Sequence, residues 1–272
     1  MEGNMKLGFI GIGHMGGAML RGMAGAEMVS HSEIYICGRD FAKTSAVAEE
    51  TKVTALETIE ELVGTSDIFF VGVKPGLFPQ VLPQIAARMN SEKICVSMAA
   101  GVKISQIEEA LGTDKKIVRI MPNTPVQLGE GMTSVSRNAN VTDEEMNMVI
   151  GLFTPLGKAE EVSEDLIHTV IGVSGSSTAY TYMYIEALMD TAVKNGMDAE
   201  KARTFAAQAV LGAAKLALES DTPLGTLVSN ACTPGGTTIE AVEVLKREGF
   251  EDIVARGFQA AVDKSKKMSG DK

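Results

Sequence analysis

The first part of the chain alternates short, continuous apolar runs with longer stretches of helical apolar period. Residues 6–10 (KLGFI), 33–37 (EIYIC), 67–73 (DIFFVGV), 93–97 (KICVS) and 116–121 (KIVRIM) are too short for helices. They are apolar on both faces, as strands covered on both sides of a sheet must be. Residues 52–55 form a weaker strand, and 132–136 another. Segments 41–50, 59–63 and 105–111 read as helices between them. Residues 142–153 open with Thr142-x-x-Glu145, the sequence form of a capping box. This β-α-β-α-β alternation predicts an α/β fold with an open, doubly wound, mostly parallel sheet.

After about residue 163 the strand pattern stops and helical periods take over. One spans 178–194 and stops at Asn195-Gly196, a left-handed terminator. A second, capped by Asp198, runs to about 219 and presents Ala202, Ala206, Ala209 and Ala213 among its apolar positions. A third begins near Thr237 and a fourth covers 251–267, with a tail, 268–272, expected to fray. So wide a small-residue surface suits close packing on more than one side. An Ala-rich all-α segment of this size is a thin independent core. A second copy of the chain is therefore expected to cover it, as an intertwined homodimer. The expected division is a nucleotide domain at 1–163 and a helical dimerisation and substrate domain at 164–272.

Composition narrows the function. A formal net charge of −10 argues against nucleic acid or an anionic membrane as the main partner. No apolar run approaches the ~20 residues of a membrane span. The N-terminal apolar run is broken by glycines and lacks the basic segment and cleavage site of a signal peptide. Cys37, Cys95 and Cys232 are far apart and form no CxxC or Cys/His cluster, so reduced thiols are expected rather than zinc. The expectation is a cytoplasmic protein without a metal.

The candidate chemistry begins at Gly11-Ile12-Gly13-His14-Met15-Gly16, which follows a strand and precedes a helix starting near Ala18. In a dinucleotide fold the first glycine permits a tight turn and the second lets a pyrophosphate approach. The third brings helix and strand together. His14 is then a backbone-wall or surface residue, and His31 and His168 are assigned solvated or capping roles. The second strand ends in Gly38-Arg39-Asp40 instead of the acid that binds the ribose of NAD. Arg39 supplies a cation for a 2′-phosphate, partly offset by Asp40, so NADP(H) is the expected cofactor and NAD(H) the weaker one. Three more strand ends carry Val73, Lys74 and Pro75, then Ala99, Ala100 and Gly101, then Asn123. In an open parallel sheet these ends line the ligand crevice, so all are assigned to the cofactor.

Together with GVSGSS near 172 and CTPGGTT at 232–238, these turns resemble pyrroline-5-carboxylate reductase along nearly the whole chain. The resemblance implies an N-terminal Rossmann domain and a C-terminal dimerisation domain, with dimers joining into a decamer of five. It also implies NADPH-dependent reduction of 1-pyrroline-5-carboxylate to L-proline by hydride transfer to a cyclic iminium carbon, the last step of proline biosynthesis. The substrate carboxylate would lie on the turn of Thr233, Gly235, Gly236 and Thr237. The Thr238 hydroxyl would bond the ring nitrogen as the candidate catalytic group. Some residues depart from the family pattern. Ser177-Thr178 stands for a usual Gly-Pro, no Asn occurs around 56–58, and Ser229 replaces a frequent acid. Asp221 is a candidate match to an acid near the substrate. Three rival readings remain: a reductase of a related cyclic imine, a non-catalytic NADP-sensing protein and a β-hydroxyacid dehydrogenase. The last would need a lysine within 175–189, where there is none.

Overall fold

A computed structural model describes residues 5–26 and 29–270. Its sheet has eight strands: β1 Leu7–Ile10, β2 Ile34–Cys37, β3 Thr54–Ala55, β4 Ile68–Val71, β5 Ile94–Ser97, β6 Lys116–Pro122, β7 Gly131–Arg137 and β8 Gly157–Glu161. Their order is β3-β2-β1-β4-β5-β6-β7-β8. Every pairing is parallel except β6 with β7. The reversal of direction at β1, where chain order runs outward both ways, opens the crevice typical of doubly wound sheets.

The period of two within each strand builds two cores. Leu7, Phe9, Ile68, Phe70, Ile94 and Val96 face one side, packed by Met19, Leu20 and Met23 of α1 (His14–Gly25). Ile10, Phe69, Val71 and Cys95 face the other, under α3 (Ile59–Thr65), α4 (Phe78–Ala86) and α5 (Ile104–Leu111). Phe9 stacks on Phe70 with ring centres 4.8 Å apart. Helices α2 (Phe41–Thr51) and α6 (Asp143–Gly151) complete the α/β part. The capping box at Thr142 is formed in both directions.

Three features depart from the sequence pattern. Helix α1 starts at His14 rather than near Ala18, which places its first turn directly on the glycine loop. Helix α4 carries Pro79 and Pro83, residues that read as punctuation. Pro79 lies in the first turn, where a missing N–H costs little, and Phe78, Val81, Leu82 and Ile85 still form an apolar face. Strand β8 (GKAEE) is polar and half-exposed because it pairs only with β7.

Beyond β8 lie α7 (Ile167–Val170), a π-helical turn at Ile171–Gly175, α8 (Ser177–Lys194), α9 (Ala199–Glu219), α10 (Leu224–Ala231), α11 (Thr237–Arg247) and α12 (Phe250–Ser269). The described residues up to Gly175, with those from Ala261 onward, form one compact unit; Ser176–Ala260 form a second. In the first, His168 corrects an expectation. It is buried rather than solvated, and its Nδ1 lies 2.7 Å from Ser265 Oγ on the end of α12. His31 does cap, its Nε2 lying 2.8 Å from the Ala24 carbonyl of α1. Helix α12 continues through Met268 and Ser269, where fraying was expected; residues 271–272 lie outside the described part.

The second unit is built on α8 packed against α9, with Gly196 in the left-handed conformation between them and Asp198 capping α9 at the Lys201 N–H. Its only buried hydrophobics are Ala202 and Ala206, while Met183, Phe205 and Leu218 are 68%, 68% and 71% exposed. A single copy leaves this unit with almost no core.

Candidate functional site

The three glycines of the loop have distinct local geometries. Gly11 has φ +87°, a left-handed value natural only to glycine, and its N–H donates to the Cys37 carbonyl at 2.8 Å, joining β1 to β2. A Cβ on Gly13 would meet nothing within 4 Å, so its face is open to an approaching group. A Cβ on Gly16 would lie 2.5 Å from the Gly11 carbonyl, so the packing of α1 on the loop excludes any side chain there. Gly13 is the N-cap of α1 and offers no side chain. The first N–H groups of the helix therefore meet no side-chain cap, as anion binding requires. His14 is exposed and Met15 partly buried.

A cleft of about 640 Å³ runs beside this loop, lined by Gly11, Ile12, Gly13, Gly38, Arg39, Asp40, Lys43, Val73 and Lys74, among others. A second hollow of about 330 Å³ adjoins it, where Arg39 meets Glu57, Thr58, Gln80 and Gln84. The Asp40 carboxylate is engaged within its own helix. Its Oδ1 accepts the Lys43 N–H at 3.2 Å as the N-cap of α2, and its Oδ2 lies 3.7 Å from Lys43 Nζ. Arg39 is exposed, and Lys43, which the sequence reading passed over, adds a second cation four residues on. Its place in the first turn of the helix that follows Gly38-Arg39-Asp40 is the signal that could have shown it. The residues present fit a dinucleotide with an added phosphate.

The other strand ends divide. Lys74 and Pro75 are exposed at the end of β4, and Val73 lines both hollows. Ala99 is buried, with Ala100 and Gly101 partly so; Gly101 has φ +78°. Asn123 is 9% exposed and works for the scaffold: its Oδ1 accepts Met132 N–H at 2.8 Å and its Nδ2 donates to the Ser174 carbonyl at 3.2 Å. Burial pushes the Cys37 thiol up to about 11, with the charges of Glu60 and Glu61 adding to it. Burial also pushes Cys95 up to about 12. Neither is a thiolate near neutral pH, which removes both as nucleophiles. A larger hollow, about 830 Å³ around Arg137 and Asp143, is lined by charges already paired: Arg137 bonds both Glu161 and Asp143. Among the described residues no group of His, Cys, Asp and Glu could hold a metal, and no helix is long and apolar enough to cross a membrane.

In the second unit, Thr233-Pro234-Gly235-Gly236 forms a tight turn. Proline occupies its second position, Gly235 its third with φ +71°, and Gly236 N–H donates to the Thr233 carbonyl at 2.9 Å. This is the type II arrangement. The Gly236 N–H is thus engaged inside the turn. A Cβ on Gly236 would lie 2.4 Å from Thr233 Oγ1, so a side chain there would displace the Thr233 hydroxyl. Gly236 also N-caps α11, with no side-chain cap, and Thr237 and Thr238 follow as its first two residues, both exposed. The donors aimed outward are therefore the N–H groups of Thr237 and Thr238, with the helix dipole behind them.

Comparison with known proteins bears on the family and the fold. A family model described as pyrroline-5-carboxylate reductase dimerisation matches residues 164–268, and one described as NADP oxidoreductase, coenzyme F420-dependent, matches residues 6–101. The chain is 44% identical over 264 residues to the pyrroline-5-carboxylate reductase of Escherichia coli K12, covering 97% of this chain and 98% of that one. A crystal structure of the Plasmodium falciparum pyrroline carboxylate reductase with NADP bound matches with TM-score 0.87 and 33% identity over 98% of both chains. A Coxiella burnetii pyrroline-5-carboxylate reductase matches with TM-score 0.92 and 29% identity, over 98% of this chain and 99% of that one.

Proposed function

This chain belongs to the pyrroline-5-carboxylate reductase family, and from that premise we propose how its own residues divide the work. It is an NADP-dependent oxidoreductase of proline biosynthesis that reduces 1-pyrroline-5-carboxylate to L-proline, and it associates with itself through the helical region. When bound, the reduced nicotinamide supplies the hydride that the iminium carbon accepts.

The loop of Gly11, Ile12, Gly13, His14, Met15 and Gly16 holds the pyrophosphate. Gly13 leaves the approach open, and the first turn of α1 supplies N–H groups. Arg39 and Lys43 bind the 2′-phosphate while Asp40 stays on its helix, which favours NADPH and leaves NADH the weaker cofactor. Val73, Lys74, Pro75, Ala99, Ala100, Gly101 and Asn123 wall the remainder of the cofactor, and the Asn123 side chain also holds the end of β6 in place. The substrate carboxylate takes the N–H groups of Thr237 and Thr238 on the frame made by Thr233, Gly235 and Gly236. The Thr238 hydroxyl bonds the ring nitrogen as its charge changes. A cyclic imine arrives protonated and needs orientation more than a strong acid, so a threonine suffices. The helical domain, assigned as 164–272 beside a nucleotide domain of 1–163, pairs into dimers. We assign five such dimers to a decamer, and the protein to the cytoplasm.

The observation that carries this reading is the glycine turn that leaves the start of α11 uncapped. The test is loss of reduced-nicotinamide absorbance with 1-pyrroline-5-carboxylate, comparing wild type with Thr238→Ala. Turnover that falls about a hundredfold in the variant, with NADPH affinity kept, supports it. Equal turnover in both proteins removes Thr238 from the chemistry.

A further inference from the structure

The ion pair between Arg119 and Glu164 has no part in the reaction described above, yet it is expensive. Arg119 sits in the middle of β6 and is 1% exposed. Its Nη1 donates to Glu164 Oε1 at 2.8 Å, while its Nε and Nη2 have no partner. A buried guanidinium with one edge unpaired stabilises poorly, and an apolar side chain of similar volume would serve the core better.

Glu164 Oε1 has a second donor, the Ile104 N–H, at 2.9 Å. Ile104 is the first residue of α5, so the carboxylate closes the N-terminus of that helix from a distant part of the chain. The segment joining β5 to α5 contains Ala99, Ala100 and Gly101. Its start is fixed where Ser97 pairs in register with Arg119, and Ala99 N–H leans on Ser97 Oγ at 3.4 Å. Its end is fixed by Glu164 on Ile104 and by Gln106 Oε1 on the Lys103 N–H at 2.9 Å. One buried cation therefore stands beside the last residue of β5 and, through Glu164, holds the first residue of α5.

We propose that Glu164, oriented by Arg119, is a positioning residue for the cofactor, holding the backbone of residues 99–101 in the place where it walls the cofactor site. This rests on the reading of those residues as part of that site. The carboxylate touches neither cofactor nor substrate. It acts through the first turn of α5, so its loss impairs cofactor binding and leaves the chemical step intact.

The experiment titrates NADPH calorimetrically into the full-length wild type, Glu164→Ala and Glu164→Gln. Steady-state kinetics and amide hydrogen exchange on the cofactor-free proteins accompany it. Loss of a charged hydrogen bond predicts that Glu164→Ala raises both Kd and KM for NADPH about tenfold while kcat changes little. Exchange is expected to quicken within residues 99–104 of that variant. Glu164→Gln keeps an acceptor oxygen and is expected to recover most of the affinity. Should Glu164→Ala not fold, Ile104→Pro removes the N–H, together with a side chain that packs in the core, and leaves the Arg119–Glu164 pair in place. Proline is tolerated at the first helical position, and the extended backbone of Lys103 suits the residue before it. That variant is expected to weaken NADPH in the same way. Unchanged Kd in Glu164→Ala, equal impairment of the Gln and Ala variants, or unchanged affinity in Ile104→Pro each overturns the inference while wild-type binding stands. Absence of NADPH binding by the wild type overturns the cofactor reading and this inference with it.

Discussion

At Gly13 and Gly16 the same residue type serves opposite needs, which makes a sharp test. A methyl group on Gly16 would press on the Gly11 carbonyl, so Gly16→Ala is expected to destabilise the fold by about 1–3 kcal/mol in denaturant unfolding. A methyl on Gly13 meets only open space, so Gly13→Ala is expected to lose only the N-cap preference of glycine over alanine, less than Gly16→Ala loses, and still weaken NADPH binding. Matching stability losses in the two variants would contradict this division. Arg39 gives a second test at this scale. With Asp40 engaged on α2, Arg39→Asp is expected to lower kcat/KM for NADPH about a hundredfold and that for NADH far less. Equal losses with both cofactors would remove Arg39 from the phosphate. Sequence alone pointed to the glycines and Arg39, since each follows a strand whose pattern is plain. It did not show that the Gly236 N–H is engaged, although Pro234-Gly235 at the centre of a turn carries that signal. Glu164 stayed hidden because its partners, Ile104 and Arg119, are 60 and 45 residues away.

Among elements, legibility followed burial and punctuation. Strands β1, β4 and β5 are buried along their whole length and stand out as apolar runs. The edge strand β8 needs no such run, because half of it faces solvent, and its GKAEE sequence resembles a loop. Helix α4 was masked by its prolines although its apolar spacing is regular. Helix α6 was announced by its capping box, which also fixes a pH dependence. Burial raises the Glu145 carboxyl, but the hydrogen bond from Lys116 and the Thr142 backbone outweigh it and hold it below the ordinary glutamate value. A carboxyl lowered in the folded state stabilises fully above its unfolded pKa, and that contribution disappears as pH falls through the folded value. Glu145→Gln is therefore expected to cost about 1 kcal/mol near neutral pH. The gap from wild type should close in strongly acidic buffer. A gap that persists unchanged there would mean packing, not charge, is responsible.

Across the whole molecule, the α/β unit carries two complete cores, whereas Ser176–Ala260 buries little more than Ala202 and Ala206. Alanine spacing in the sequence already called for a partner, and the exposure of Met183, Phe205 and Leu218 shows how much surface that partner must cover. Stability should therefore depend on association: Tm is expected to rise with protein concentration, and a concentration-independent Tm would point to a self-sufficient monomer.

The central claim is that this chain passes a hydride from reduced nicotinamide to the imine carbon of 1-pyrroline-5-carboxylate. Its most direct measurement is isotope transfer. The wild-type protein is supplied with NADPH deuterated at the transferring position and with 1-pyrroline-5-carboxylate, and the product is weighed by mass spectrometry. One deuterium at the former imine carbon of proline is the predicted result. Proline without the label, or cofactor oxidised with no proline formed, would contradict the account.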